Sequence, residues 1–189
     1  APIKVLNAKK VILTLADNTT NTITDSSRLS TEEDYSAAIY SKEDLIINGN
    51  GTLNVNAGYR NGIKSTDDCI IVSGTLNITS TEDGIIGKDL CRVVAGDINI
   101  NAGSDGIKST YDTDTTKGNV IIEGGNITIK ASNDGIQAEN ILVINDGTIN
   151  IKTNNGAADT TQTHIDNMDM GRGGFGFNNN KTTTTTDDT

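Results

Sequence analysis

Residues 74–106 read GTLNITSTEDGIIGKDLCRVVAGDININAGSDG, and this stretch decides the fold. It holds one unit and the start of the next. Gly74-Thr-Leu-Asn-Ile-Thr returns as Gly96-Asp-Ile-Asn-Ile-Asn, 22 residues on. Asp83-Gly84-Ile85 returns as Asp105-Gly106-Ile107 at the same interval. Working outward, the Gly register extends to Gly51, Gly125 and Gly147, with intervals of 23, 22, 29 and 22. The turn register extends to Asn61-Gly62, Asp134-Gly135 and Asn155-Gly156, with intervals of 22, 22, 29 and 21. One insertion of about seven residues near Tyr111 to Lys117 accounts for both long intervals.

Within each unit the apolar residues alternate, which marks half-buried strands. Leu76 and Ile78 face one way, with Leu53/Val55, Ile98/Ile100, Ile127/Ile129 and Ile149/Ile151 in the same register. A second short strand precedes each Gly, as in Cys69-Ile70-Ile71 and Val120-Ile121-Ile122. The Ile after each turn Gly (Ile63, Ile85, Ile107, Ile136) marks a third inward position. One coil cannot bury its own stripe, so stacked neighbours must form the core. The expected fold is all-β: a right-handed, single-stranded parallel β-helix, a pectate-lyase-like solenoid of about 22 residues per coil.

Composition agrees. The hydrophobic fraction of the 189 residues is 34%, aromatics are 3%, and Trp is absent, which excludes a bulky aromatic core. A solenoid needs only thin aliphatic stripes. The net charge of −10 disfavours nucleic-acid binding through phosphates and contact with anionic membranes. No segment is long and apolar enough to span a bilayer as a helix. Three regions are expected. Residues 1–36 give N-terminal cap strands and a polar loop over 19–36. Residues 37–159 give the regular coils. Residues 160–189 give a Gly-, Met- and Thr-rich flexible tail or insertion. Cys69 and Cys91, one coil apart, are expected as stacked core thiols, with a disulfide as the alternative. His164 lies in the tail with no partner near it in sequence.

Several of these stretches resemble a family of extracellular carbohydrate-binding domains from Gram-positive bacteria, with a polysaccharide-lyase-like β-helix, long known as a domain of unknown function. They are AAIYSKEDLIINGNGTLNV from Ala37, EDGIIGKDL from Glu82, SDGIKST from Ser104 and NDGIQAEN from Asn133. The resemblance implies a secreted or cell-surface protein that binds plant cell-wall polysaccharide, cellulose and acidic sugars such as pectin included, and that holds calcium. Asn61 stands where the family has Asp before the turn Gly.

The turn register carries the candidate chemistry. Asp83, Asp105 and Asp134 fall about one strand spacing apart when coils stack. Such a column must protonate, bend into water or hold a cation, since like charges repel at that distance. Glu82 precedes it, and Asp67, Asp68, Asp89, Asp112, Asp114 and Glu139 follow its turns. Hard carboxylate oxygens suit Ca²⁺. The alternative is a plain turn role, because Asp-Gly and Asn-Gly are turn dipeptides. Tyr59 and Tyr111 sit beside the turns as sugar-stacking candidates, with Lys64, Lys88 and Lys108 as cationic sugar contacts. A lysine near calcium is also how a pectate lyase abstracts its proton, so a polysaccharide lyase is the enzymatic alternative to non-catalytic binding. A fibre or surface-layer subunit that self-associates through its β-helix ends is the third reading. The outward rows of Asn and Thr offer a hydrogen-bonding surface for sugars, or a self-bonded polar ladder.

Overall fold

The computed structural model describes residues 1–26 and 36–153. Expectations for Asn155-Gly156, His164 and the Gly-, Met- and Thr-rich residues 160–189 lie outside the described residues.

Three all-parallel sheets of six strands make up the described fold. Sheet I is Ile3–Val5, Ala37–Ser41, Asn61–Ser65, Ile85–Gly87, Ile107–Lys108 and Ile136–Gln137. Sheet II is Val11–Leu15, Leu45–Gly49, Asp68–Ile71, Leu90–Val93, Asn119–Ile122 and Leu142–Ile144. Sheet III is Thr20–Asp25, Thr52–Ala57, Thr75–Ser80, Asp97–Ala102, Asn126–Ala131 and Thr148–Thr153. Each coil gives one strand to each sheet, and each strand pairs with its equivalents in the coils before and after. This is a parallel β-helix of six described coils.

The repeat in sequence is the register in space. Leu76 pairs with Leu53 and Ile98, and Ile98 with Ile127. All four are buried. Sheet I adds Ile39, Ile63, Ile85 and Ile107 to the same core, each of them fully buried. Cys69 and Cys91 face each other in register as free, buried thiols. The hydrogen bond to Cys91, and then burial, push the Cys69 thiol well above its ordinary range.

Two classes of glycine serve different needs. Gly74, Gly96, Gly125 and Gly147, ahead of the sheet III strands, have φ between +103° and +119°, where a side chain is strained. The turn glycines are not left-handed. A Cβ at Gly84 would lie 2.5 Å from the Gly106 carbonyl oxygen and 2.5 Å from Ile100 Cγ2. There glycine lets one coil lie close on the next.

The first coil differs from expectation. Residues 20–25, read from sequence as part of a polar loop, form a strand that pairs with Thr52–Ala57. The coil array therefore begins at Ile3 rather than Ala37. The strand was hidden because its inward positions, opposite Leu53, Val55 and Ala57, hold Asn21, Ile23 and Asp25. Polar residues at two of those three positions erase the apolar alternation.

Candidate functional site

The corner that leads into sheet I carries the turn acids, and the structure gives them partners. The Asp83 backbone N–H donates to Asn61 Oδ1 at 3.0 Å. Asp105 N–H donates to Asp83 Oδ1, and Asp134 N–H to Asp105 Oδ1, each at 3.0 Å. Each side chain thus caps the backbone of the next coil. Only an oxygen is needed for this, so Asn61 serves as well as Asp. Its amide Nδ2 also donates to the Ser36 carbonyl at 2.7 Å. Asp105 is buried, and its second oxygen takes Lys108 Nζ at 2.6 Å. Glu82 lies 3.7 Å from Arg60 Nε. Asp105 has both oxygens committed, to an N–H and to a lysine, and Asp83 has one committed, which leaves this column fewer free ligand atoms for a cation.

The next corner, between sheets I and II, gathers a different set. Single carboxylate oxygens of Asp44, Asp67 and Asp68 lie within 4.8 Å of one another, all half-buried. Coil stacking places them there: Leu45, Cys69 and Cys91 stack in register, and these acids stand at or just before those positions. Asp89 follows one coil on. Its N–H donates to the Asp67 carbonyl at 3.2 Å, and its carboxyl is close enough to act on that of Asp67. Lysines close the group at both ends, Lys10 at 3.9 Å from Asp44 and Lys117 at 2.5 Å from Asp89. Burial, then the charges of Asp44, Asp67 and Asp89, raise the Asp68 carboxyl to about 6. Burial, Asp44 and Asp89 likewise push Asp67 up. Hard oxygens held close and made costly to ionise fit a divalent cation.

Of the acids singled out in sequence, Asp67, Asp68 and Asp89 belong to this corner. Asp83, Asp105, Asp134 and Glu82 belong to the other one. Asp112 and Glu139 are exposed and lie outside the Asp44, Asp67 and Asp68 group. Asp44 is the member of this group that the sequence does not single out. Aligning the second strand of each coil would have found Asp44, which sits before Leu45 as Asp68 sits before Cys69.

The seven-residue insertion is packed over this corner. The N–H of Tyr111 donates to the Lys88 carbonyl, and that of Gly118 to the Asp89 carbonyl at 2.7 Å. Asn140 Nδ2 donates to the carbonyls of Tyr111, Asp114 and Lys117. Tyr111 is thereby placed with Lys88 Nζ 4.7 Å and Lys117 Nζ 4.9 Å from its ring centre. Tyr59 has the Arg60 guanidinium 5.6 Å from its ring.

On the outward row of sheet I, Tyr40, Lys64, Ile86, Lys108 and Gln137 follow one another coil by coil. Burial lowers the Lys64 pKa, against the opposing pull of Asp83. Its Nζ lies 3.3 Å from Ser36 Oγ. For Lys108 burial works against the charge, but the Asp105 hydrogen bond and the charges of Asp83, Asp105 and Asp134 prevail and raise its pKa.

Sheet III is chemically separate. Its outward Asn residues bond to each other: Asn77 Nδ2 to Asn54 Oδ1 at 2.9 Å and Asn99 Nδ2 to Asn77 Oδ1 at 3.1 Å. The self-bonded polar ladder is what the structure contains.

Comparison with known proteins adds the biology. The chain is similar to a solved structure of the polysaccharide lyase-like protein from C. thermocellum, a gadolinium derivative, with a TM-score of 0.68 and 32% sequence identity. That similarity covers 81% of this chain and 67% of the other. A carbohydrate-binding domain-containing protein of Acetivibrio thermocellus is 39% identical over 82 residues, which are 41% of this chain and 29% of the relative. The chain thus spans under a third of that relative's length. Residues 1–187 match the profile of one family. The chain belongs to the carbohydrate-binding domain-containing proteins.

Proposed function

We propose that this chain is a non-catalytic polysaccharide-binding module of a secreted or cell-surface protein, with calcium held at the corner between sheets I and II. The observation that carries the reading is the convergence of Asp44, Asp67 and Asp68, with Lys117, whose charge reaches Asp67 and Asp68, also against the Tyr111 ring. Calcium there would bridge protein carboxylates to the carboxylates of an acidic glycan such as pectin. Asp44, Asp67 and Asp68 would hold it, with Asp89 behind them. Tyr111 offers a ring edge and face to a sugar, while Lys88 and Lys117 supply charge to a uronate.

Binding without cleavage is supported by the lysines. Lys108 is held protonated on Asp105 and makes a poor base. Lys64 is the one observation that favours a lyase, because burial disfavours its charge. Release of unsaturated oligouronides from polygalacturonate with calcium would establish that second reading.

Metal analysis and thermal melting with and without chelator test the calcium. Pull-down on pectin and on cellulose, each with calcium and with chelator, tests the binding. We expect bound calcium, a lower melting temperature in chelator, and pectin retention that chelator abolishes. Retention by neither polysaccharide would overturn the function.

A further inference from the structure

Sheet III presents a surface unlike the rest of this acidic chain. Its outward positions are Thr or Asn in every coil except for Asp97, Lys130 and Lys152. The middle column is a fixed amide chain. Asn54, Asn77 and Asn99 each donate Nδ2 toward the coil before, ending on Thr22 Oγ1 at 3.4 Å. Each interior amide spends one N–H and one oxygen lone pair on the ladder, and keeps one of each. Beside the ladder runs a shallow groove of about 240 Å³, lined by Asn77, Thr79, Asn99, Asn101, Thr128 and Lys130 and by the buried Ile78 and Ile100. It lies between two outward columns and so follows the solenoid axis across three coils.

We propose that this groove is a second glycan site, for an uncharged, extended glycan laid parallel to the solenoid axis. Three coils at one strand spacing give a length of roughly 10 Å, room for about two to three sugars. The inference rests on the carbohydrate-binding reading above and assigns it a separate surface.

Charge and chemistry choose the occupant. The single charge lining the groove is Lys130, so nothing there neutralises a polyanion and no carboxylate set there holds a cation. No aromatic or aliphatic side chain faces outward on these strands, which disfavours an apolar partner. What remains is a donor and an acceptor repeated once per coil, on a frame already locked by its own bonds. Sugar hydroxyls also both donate and accept. A preorganised array loses little freedom on binding. The ladder also points one way along the axis, so the groove distinguishes the two directions of a glycan chain.

The test uses the full chain, with cellohexaose and an oligogalacturonate as probes, each titrated by calorimetry in calcium. Thr79→Ala/Asn101→Ala removes groove groups outside the ladder, and Asn99→Ala breaks the ladder itself. Circular dichroism melts report folding for both. The dissociation constant for cellohexaose is expected to rise about tenfold in the double variant, the loss of a few net hydrogen bonds. Oligogalacturonate binding is expected to stay unchanged. Cellohexaose binding that is absent in the unmodified chain, or unchanged in both variants while they remain folded, overturns the groove site. Oligogalacturonate retention in either case leaves the calcium-corner reading standing, so the two failures are distinct.

Discussion

Sheets I and III come from the same 22-residue repeat, yet their outer faces have opposite chemistry. Sheet I and its flanking corners carry nearly all the perturbed charges: Lys64, Asp67, Asp68, Lys108 and Lys117. Sheet III carries a neutral amide ladder. The difference lies in where the backbone turns. A turn into a new strand leaves N–H groups that side-chain oxygens must satisfy, so acids collect at corners and are brought near one another by stacking. A strand face has its backbone already paired, so its side chains are free to repeat a neutral pattern. The corners can therefore respond to cations and pH, and the flat face is built to stay constant.

The largest expected effect would break this contrast at the acidic corner. Calcium at one hundred times its dissociation constant would stabilise the chain by about 2.7 kcal/mol if it binds only the folded state. Asp67→Asn/Asp68→Asn is expected to abolish that gain, read as a melting temperature that no longer responds to chelator. Loss of the response in a sheet III variant instead would reverse the contrast.

A somewhat smaller effect separates the two corners from each other. Asp105→Ala leaves the Asp134 N–H and Lys108 without their acceptor, at a cost of about 2 kcal/mol in urea unfolding. Asp105→Asn keeps the ladder oxygen and is expected to cost less, as Asn61 does the same work without charge. Equal losses for the two variants would show that charge, and not the ladder, matters there.

Proton linkage sharpens the comparison further. The Asp68 carboxyl is raised from 3.8 to about 6 in the folded chain. Below about pH 4 it is protonated in folded and unfolded states, and its contribution to stability is fully present. As pH rises through 6 the folded group must ionise among acids, and that contribution is lost. With chelator present, the melting temperature should fall between pH 4 and 6, and Asp68→Asn should flatten that fall.

The smallest effect belongs to the constant face. Asn77→Ala removes two ladder bonds, one exposed and one part-buried, and is expected to cost about 0.5 kcal/mol, with no dependence on chelator or on pH between 4 and 7. A calcium-dependent loss there would merge the two surfaces into one.

Much of the architecture was legible because stacking turns sequence period into spatial neighbourhood. Ile63, Ile85 and Ile107 recur after the turn glycines and lie in one buried column. The first coil was not legible, because Asn21 and Asp25 occupy slots that are apolar in the coils above. The candidate site was half legible. Asp67, Asp68 and Asp89 are marked by their offset to the turns, and Asp83 and Asp105 by the turn register itself. The turn acids' binding of backbone N–H groups in the neighbouring coil could not be seen without the corner's path.

The sequence by itself determined the coil, its three inward stripes and its turn register, because a parallel solenoid pairs each residue with its own equivalent one period away. The tertiary structure alone decided which acids are spoken for. Asp105 and Asp44 look alike as text, but one is spent on an N–H and a lysine while the other joins Asp67 and Asp68. Hydrogen-bond geometry at the corners, set by how each coil bends onto the next, makes that distinction, and a one-dimensional repeat does not contain it.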